Sequence, residues 1–233
     1  MLKKIIDYLQ NNHLVFFHEG DEKICFVDEN KKYLLAIFKG SSEASKYQNR
    51  LTFLRHKMAK IIRPAEFAET HIFIKNFTFE AFNIEIEANH HYKFFNGAQA
   101  WIQEYIKPSD YQLGYLELFR FGYNKTEAKS LTFGETLLSY QEIMEHKQQW
   151  TSCVTESIST LEFSTGLIIN SFPVNFDKSH SGITYYEVED LHYPSLKNFM
   201  NSRRCNPTQK ALIEDYLSEY QLLKENLKQI KNN

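Results

Sequence analysis

Leu2, Ile5, Ile6 and Leu9 fall at i, i+3, i+4 and i+7, the spacing of one helix face, and predict a short amphipathic helix over residues 2–10. Three runs then change the period. Residues 13–19 (HLVFFHE), 23–29 (KICFVDE) and 32–40 (KYLLAIFKG) are apolar-rich and separated by the turn signals Gly20-Asp21 and Asp28-Glu29-Asn30. That pattern predicts a three-strand antiparallel meander. Ser41 and Ser42 are helix N-cap candidates, and residues 43–62 read as a helix with Tyr47, Leu51, Leu54 and Met58 on its apolar face. Pro64 closes that region. Residues 71–88 alternate well enough for two further strands, and 100–106 (AWIQEYI) for another, stopped by Pro108.

Beyond this point the pattern turns helical. Residues 134–150 and 151–166 read as helices, the second ending at Gly166, a natural C-terminal cap. A polar hairpin follows within 166–190, with its turn over 177–182. Asn206 and Pro207 mark the start of a last helix carrying a stripe of Leu212, Tyr216, Tyr220, Leu223 and Leu227. A strand-rich part (13–106) precedes a helix-rich part (110–233) with no Gly/Pro/Ser linker between them. This order predicts an α+β protein of two packed lobes, residues 1–106 and 107–233, forming one structural unit.

Composition sharpens the class. The 233 residues are 42% hydrophobic and 24% charged, ordinary for a globular chain and long enough to bury a core. Aromatic residues reach 15% but are spread along the chain, so they read first as core filling. A net charge of −2 lacks the basic excess of a nucleic-acid binder. Cys25, Cys153 and Cys205 form no CxxC pair, which speaks against a disulfide framework or a Cys-type zinc site and for a reducing, cytoplasmic compartment. The first residues lack the apolar run of a signal peptide, and no window approaches 18 apolar residues, so no transmembrane segment is expected.

Several residues are placed for chemistry. Lys39 ends an apolar strand just before a helix, where a cation can reach ligand phosphates. The strand at 101–106 runs into a connector that could present backbone N–H and C=O groups to an adenine edge. Asn175 and Glu187 carry oxygen atoms on neighbouring strands of the hairpin and suit a hard cation, with Asp177, Glu189 and Asp190 nearby. His90 and His91 are adjacent and would point opposite ways in an extended chain, so they read as a loop or strand-end pair. Arg50 and His56 are six apart, on opposite sides of a helix. Arg203 and Arg204 stand in a polar loop able to meet an acidic or phosphorylated group.

Taken in order, these segments resemble the protein-kinase-like fold, nearest to its small bacterial members, the aminoglycoside-phosphotransferase-like enzymes and the lipopolysaccharide-core sugar kinases. YLLAIFK is similar to the third-strand V-A-I-K motif, residues 42–60 to the helix that follows it, and WIQEYI to the fifth strand and hinge. The run STLEFSTGLIINSFPVNF is similar to a helix and catalytic loop, and GITYYEVED to the metal-binding strand. The resemblance implies a bilobal fold binding ATP and magnesium. Lys39 would hold phosphates. The backbone of Gln103, Glu104, Tyr105 and Ile106 would hold adenine, and Asn175 and Glu187 the cation. The substrate would be a small molecule or sugar. Ile169 stands where the family has His, and Ser171 where it has the catalytic Asp, which leaves Asp177 as a substitute base. No Gly-rich loop joins the first two strands, and no helix glutamate clearly matches Lys39. The alternative is a pseudokinase-like protein that binds a protein partner and catalyses nothing.

Overall fold

The computed structural model describes residues 2–20, 22–84, 95–105, 111–113, 132–133, 136–137, 159–176 and 183–232. The chain is α+β. It divides into two compact units: Met1–Lys57 with Ala68–Tyr105 and Asp215–Asn233, and Met58–Phe67 with Ile106–Glu214. This division differs from a single cut at 106 in two stretches, since 58–67 join the second unit and 215–233 the first.

The first unit opens with helix α1 (Leu2–Asn11), then strands β1 (Leu14–Glu19), β2 (Lys23–Asp28) and β3 (Tyr33–Phe38). Helix α2 (Glu43–Ile62) follows, then β4 (Thr70–Ile74) and β5 (Ala100–Glu104). The strands form one sheet in the order β1-β2-β3-β5-β4, every neighbouring pair antiparallel. The register sorts its two faces. Ile24, Ile37 and Ala100 lie in line on one face, and Phe26, Leu35 and Ile102 beside them. These residues join Ile5 and Leu9 of α1 in one buried cluster. Cys25, Ala36 and Trp101 line up on the other face, which α2 covers: Phe53 packs on Phe73 and Trp101, and His56 on Trp101, with ring centroids 5.3–6.2 Å apart. Burying each such large apolar side chain is worth about 1.5–3 kcal/mol.

The sheet therefore meets a side of α2 that the spacing does not predict. Tyr47, Leu51, Leu54 and Met58 form the predicted stripe, and the last three are buried. Phe53 and His56 lie about 130° and 170° around the helix from that stripe, at 100° per residue, and they pack on the sheet. The helix is apolar on two sides, and a one-stripe reading finds only one of them.

Of the two strands predicted over 71–88, the described residues show one, β4. After β4 the chain forms a single 3-10 turn at Phe79–Ala81 and an isolated parallel bridge from Leu14 to Ile84; residues 85–88 lie outside the described set. Phe77 and Phe79 alternate like strand residues, but Phe82 follows at a helical interval, and all three rings enter the α1-side core.

The β2–β3 turn is organised by one buried carboxylate. Asp28 is fully buried; its Oδ1 accepts the N–H groups of Lys32 (2.9 Å) and Tyr33, and its Oδ2 accepts Tyr8 OH (2.9 Å) and Asn30 N–H (3.1 Å). Asp28→Ala leaves these donors without an acceptor, at about 1–3 kcal/mol for each one kept from water. A loss of about 3 kcal/mol in urea unfolding is expected; a loss below about 1 kcal/mol would mean that solvent replaces the carboxylate.

In the second unit, a helical segment over 159–165 (α3) ends at Gly166, whose φ of +75° is the left-handed conformation of a C-terminal cap. Strand β9 (Leu167–Phe176) pairs with β10 (Ile183–Leu191) and with β6 (Tyr111–Leu113) in the order β10-β9-β6. Strands β7 (Thr132–Phe133) and β8 (Thr136–Leu137) form a separate pair. Thr136 and Leu137 are thus extended where a helix was expected from residue 134: Gly134 is a turn former and β-branched Thr132 and Thr136 flank it. Residues 138–150 lie outside the described set.

Helix α4 (Tyr193–Met200) follows β10, and the long helix α5 (Pro207–Asn232) closes the chain, drawing its residues from both units. Pro207 takes the first helical position. Gln209 N–H donates to Asn206 Oδ1 (2.9 Å) while Asn206 N–H donates to Gln209 Oε1 (3.1 Å), a reciprocal cap. The buried positions of α5 are Ile213, Tyr220 and Leu227, seven residues apart, with Tyr216 and Leu223 half-buried. Leu212, expected on the stripe, is 42% exposed, because Ile213 continues the same repeat one residue later.

Candidate functional site

Lys39 follows the last residue of β3. Its N–H donates to Glu22 O (2.9 Å), and its Nζ meets Glu19 Oε1 at 2.6 Å. The register explains that pairing. Glu19 stands opposite Ile24, and Ile24 opposite Ile37, so Glu19, Ile24, Ile37 and Lys39 share the parity of one sheet face. Ala36 and Phe38 share the other parity, and Phe38 packs on Trp101 at 5.2 Å, on the side that α2 covers. In V-A-I-K the Ala and Lys are two apart; in Ala36-Ile37-Phe38-Lys39 they are three apart. The extra residue sends Phe38 to the α2 side and leaves the Lys39 ammonium to a carboxylate on β1. The only acid on α2 is Glu43, in its first turn. Asn49, near the place of the expected helix glutamate, donates from Nδ2 to Gln99 Oε1 (3.1 Å).

A cleft of about 420 Å³ lies at this end of the first unit, with Lys39, Ser45, Gln48, Asn49 and Lys231 among its lining residues. Gly40 makes its floor possible: a Cβ there would sit 2.7 Å from Ser45 Cβ and Oγ, so only glycine lets the β3–α2 turn come this close without displacing Ser45. Ser42 Oγ accepts Ser45 N–H at 3.1 Å and fixes the first turn of α2, as its expected capping role requires.

The residues expected to hold adenine are largely engaged in the sheet. Gln103 has ladder partners on both sides, Leu34 and Thr70. Glu104 N–H donates to Glu69 O (2.8 Å) and Tyr105 N–H to Lys32 O (3.0 Å). β5 lies between β3 and β4, so its backbone donors are used before a ligand could meet them. Ile106 lies outside the described residues. The Tyr105 ring packs edge-on against Phe17 of β1 at 5.6 Å.

In the second unit, the stretch that resembles a catalytic loop is part of a ten-residue strand, β9, which contains both Ser171 and Asn175. Asn175 stands opposite Tyr185, and Glu187 opposite Asn170. Between those pairs β9 advances by five residues and β10 by two, so the ladder is interrupted there. Pro173, which has no N–H to donate, falls in the interruption. Asn175 and Glu187 are on adjacent strands as expected but are not cross-strand partners. Asp177 and the turn 177–182 lie outside the described residues, as do His90 and His91. Lys39, Gln103, Glu104 and Tyr105 belong to the first unit, and Ser171, Asn175 and Glu187 to the second.

The remaining candidates have structural partners or open surroundings. Arg50 makes a two-pronged ion pair with Glu219 of α5 (2.7 and 2.9 Å) and lies 5.1 Å over the rings of Phe53 and Phe73. His56 is 1% exposed. Arg203 and Arg204 are exposed in the turn before α5. Among the described residues, no group of three His, Cys, Asp or Glu side chains could hold a metal ion, and no helix is long and apolar enough to cross a membrane. The residue that sequence reasoning missed is Glu19. Regular alternation would put Glu19 on the opposite face; the bulge between Phe16 and His18 shifts β1 by one residue and brings Glu19 opposite Ile24, which no sequence pattern announces.

No protein-family model, curated protein or solved structure matches this chain.

Proposed function

We propose that the chain is a divergent protein-kinase-like domain that binds a phosphate-bearing ligand, with Lys39 as its phosphate contact, and that it acts as a binding module. The observation that carries the kinase-like reading is the first unit's topology. Five antiparallel strands run in the order β1-β2-β3-β5-β4, with one long helix inserted between the third and fourth. That agrees with the order of motifs in the sequence. Binding without turnover is favoured because Ser171, at the place of the catalytic acid, lies within a strand and has no carboxylate to take a substrate proton.

The second reading is an ATP- and magnesium-dependent phosphotransferase acting on a small molecule or sugar. It is favoured by the β9–β10 hairpin, whose backbone holds Asn175 and Glu187 on adjacent strands, two β10 residues out of register. Asn175 and Glu187 would be the cation ligands, and Asp177 the base.

Thermal unfolding with added MgATP tests the first reading. At a ligand concentration about 100 times Kd the stabilisation is about 2.7 kcal/mol, a rise of roughly 5–10 °C for a chain of this size, and Lys39→Ala should remove most of it. A full shift in Lys39→Ala would end the role given to Lys39. ATP turnover that Glu187→Ala abolishes would establish the second reading over the first.

A further inference from the structure

The Lys39 ammonium is already occupied. Its partner Glu19 sits at the end of β1, and the two side chains are 28% and 41% exposed. The backbone around the pair is fixed separately: Gly20 N–H donates to Lys23 O, and Lys39 N–H to Glu22 O, both at 2.9 Å. Breaking the pair therefore asks only for a turn of two side chains. The same lysine lines the 420 Å³ cleft where β3 runs into α2.

We infer that Glu19 is a built-in competitor for Lys39, holding the ammonium until the phosphate groups of an incoming polyphosphate ligand displace it. The inference rests on the reading of Lys39 as the phosphate contact. A partly exposed ion pair is weak, so it orders Lys39 without trapping it. A polyphosphate brings more charge than one carboxylate and accepts stronger hydrogen bonds, so it wins the exchange. The loss of the Glu19 contact then sets the ligand's affinity.

Isothermal titration of the wild type, Glu19→Gln, Lys39→Met and the double variant tests this, with MgATP, tripolyphosphate and adenosine as probes. Glu19→Gln should bind MgATP and tripolyphosphate about two- to fivefold more tightly, the range set by the value of an exposed pair. Adenosine affinity should not change, and the gain should vanish when Lys39→Met is also present. That last step excludes a purely structural effect of residue 19. Equal or weaker polyphosphate binding by Glu19→Gln overturns the inference, as does absence of tripolyphosphate binding to every variant. If MgATP and adenosine bind nothing while tripolyphosphate follows the expected pattern, the nucleotide reading falls and the competition between Glu19 and phosphate stands.

Discussion

Gly166→Ala should cost about 3–5 kcal/mol and lower the melting temperature by roughly 10 °C. The residue joins α3 to β9 with φ +75°, a conformation that costs an L-residue about 1–2 kcal/mol. Its surroundings are tighter still. An added Cβ would lie 2.2 Å from Leu196 N, 2.7 Å from Leu196 Cα and 2.9 Å from His192 O. These are backbone atoms at the start of α4, which cannot turn away as a side chain can. They are also tied in place: His192 N–H donates to Gly166 O (2.7 Å), and Gly166 N–H to Glu162 O (2.9 Å). Relief therefore means moving α4 off the corner. Gly97→Ala is the matched control, because Gly97 has φ +81° and nothing within 4 Å of an added Cβ. It should lose only the backbone cost, about 1 kcal/mol. Urea denaturation of the two variants separates the terms, and equal losses would show that the α4 contact yields freely.

The corner at Gly166 was legible in the sequence, and so were the bounds of α2 and the start of α5. Each is marked by a local signal: a C-terminal glycine, a serine before the first turn, or an Asn-Pro pair. What escaped is set by contacts distant in sequence. Leu212 and Ile213 are both apolar and both fall within a turn of Tyr216, so spacing alone could not choose between them. The sheet of the first unit is covered by the Phe53–His56 side of α2, while the clearer stripe lies on the other side. Lys39 matches a motif by letter, but the strand's period of two decides where it points, and the extra Phe38 changes the answer. The β9–β10 hairpin was expected, but that β9 runs through Ser171 was hidden by Asn170, Ser171, Pro173 and Asn175, whose types suit a loop. It persists because the ladder with β10 is interrupted where Pro173 falls, while β6 pairs with residues 174–176.

Acid should weaken the fold through His56. This side chain is buried in the first unit, edge-on to Trp101 with ring centroids 5.3 Å apart. Desolvation, and secondarily the charges of Lys23 on β2 and Arg55 on α2, lower its pKa from 6.5 to about 3. Folded His56 is therefore neutral at pH 5, whereas in the unfolded chain it is mostly protonated. A group whose folded pKa is depressed stabilises the fold fully above its unfolded value, here about 6.5, and that stability is lost as pH falls toward 3. The slope approaches about 1.4 kcal/mol per pH unit below 6.5, so the loss from pH 6.5 to 4.5 is about 2 kcal/mol. Other groups titrate over the same range, so the test is a difference. His56→Leu keeps an apolar side chain of similar size against Trp101 and removes the titration. Urea unfolding of both proteins at half-unit steps from pH 7.5 to 4.5 should give two curves that run parallel above pH 7 and whose separation changes below 6.5, the wild type losing about 2 kcal/mol more by pH 4.5. Curves that stay parallel to pH 4.5 would mean that His56 takes up its proton in the folded protein, as it could only if the helix-to-sheet contact at Trp101 opens to water.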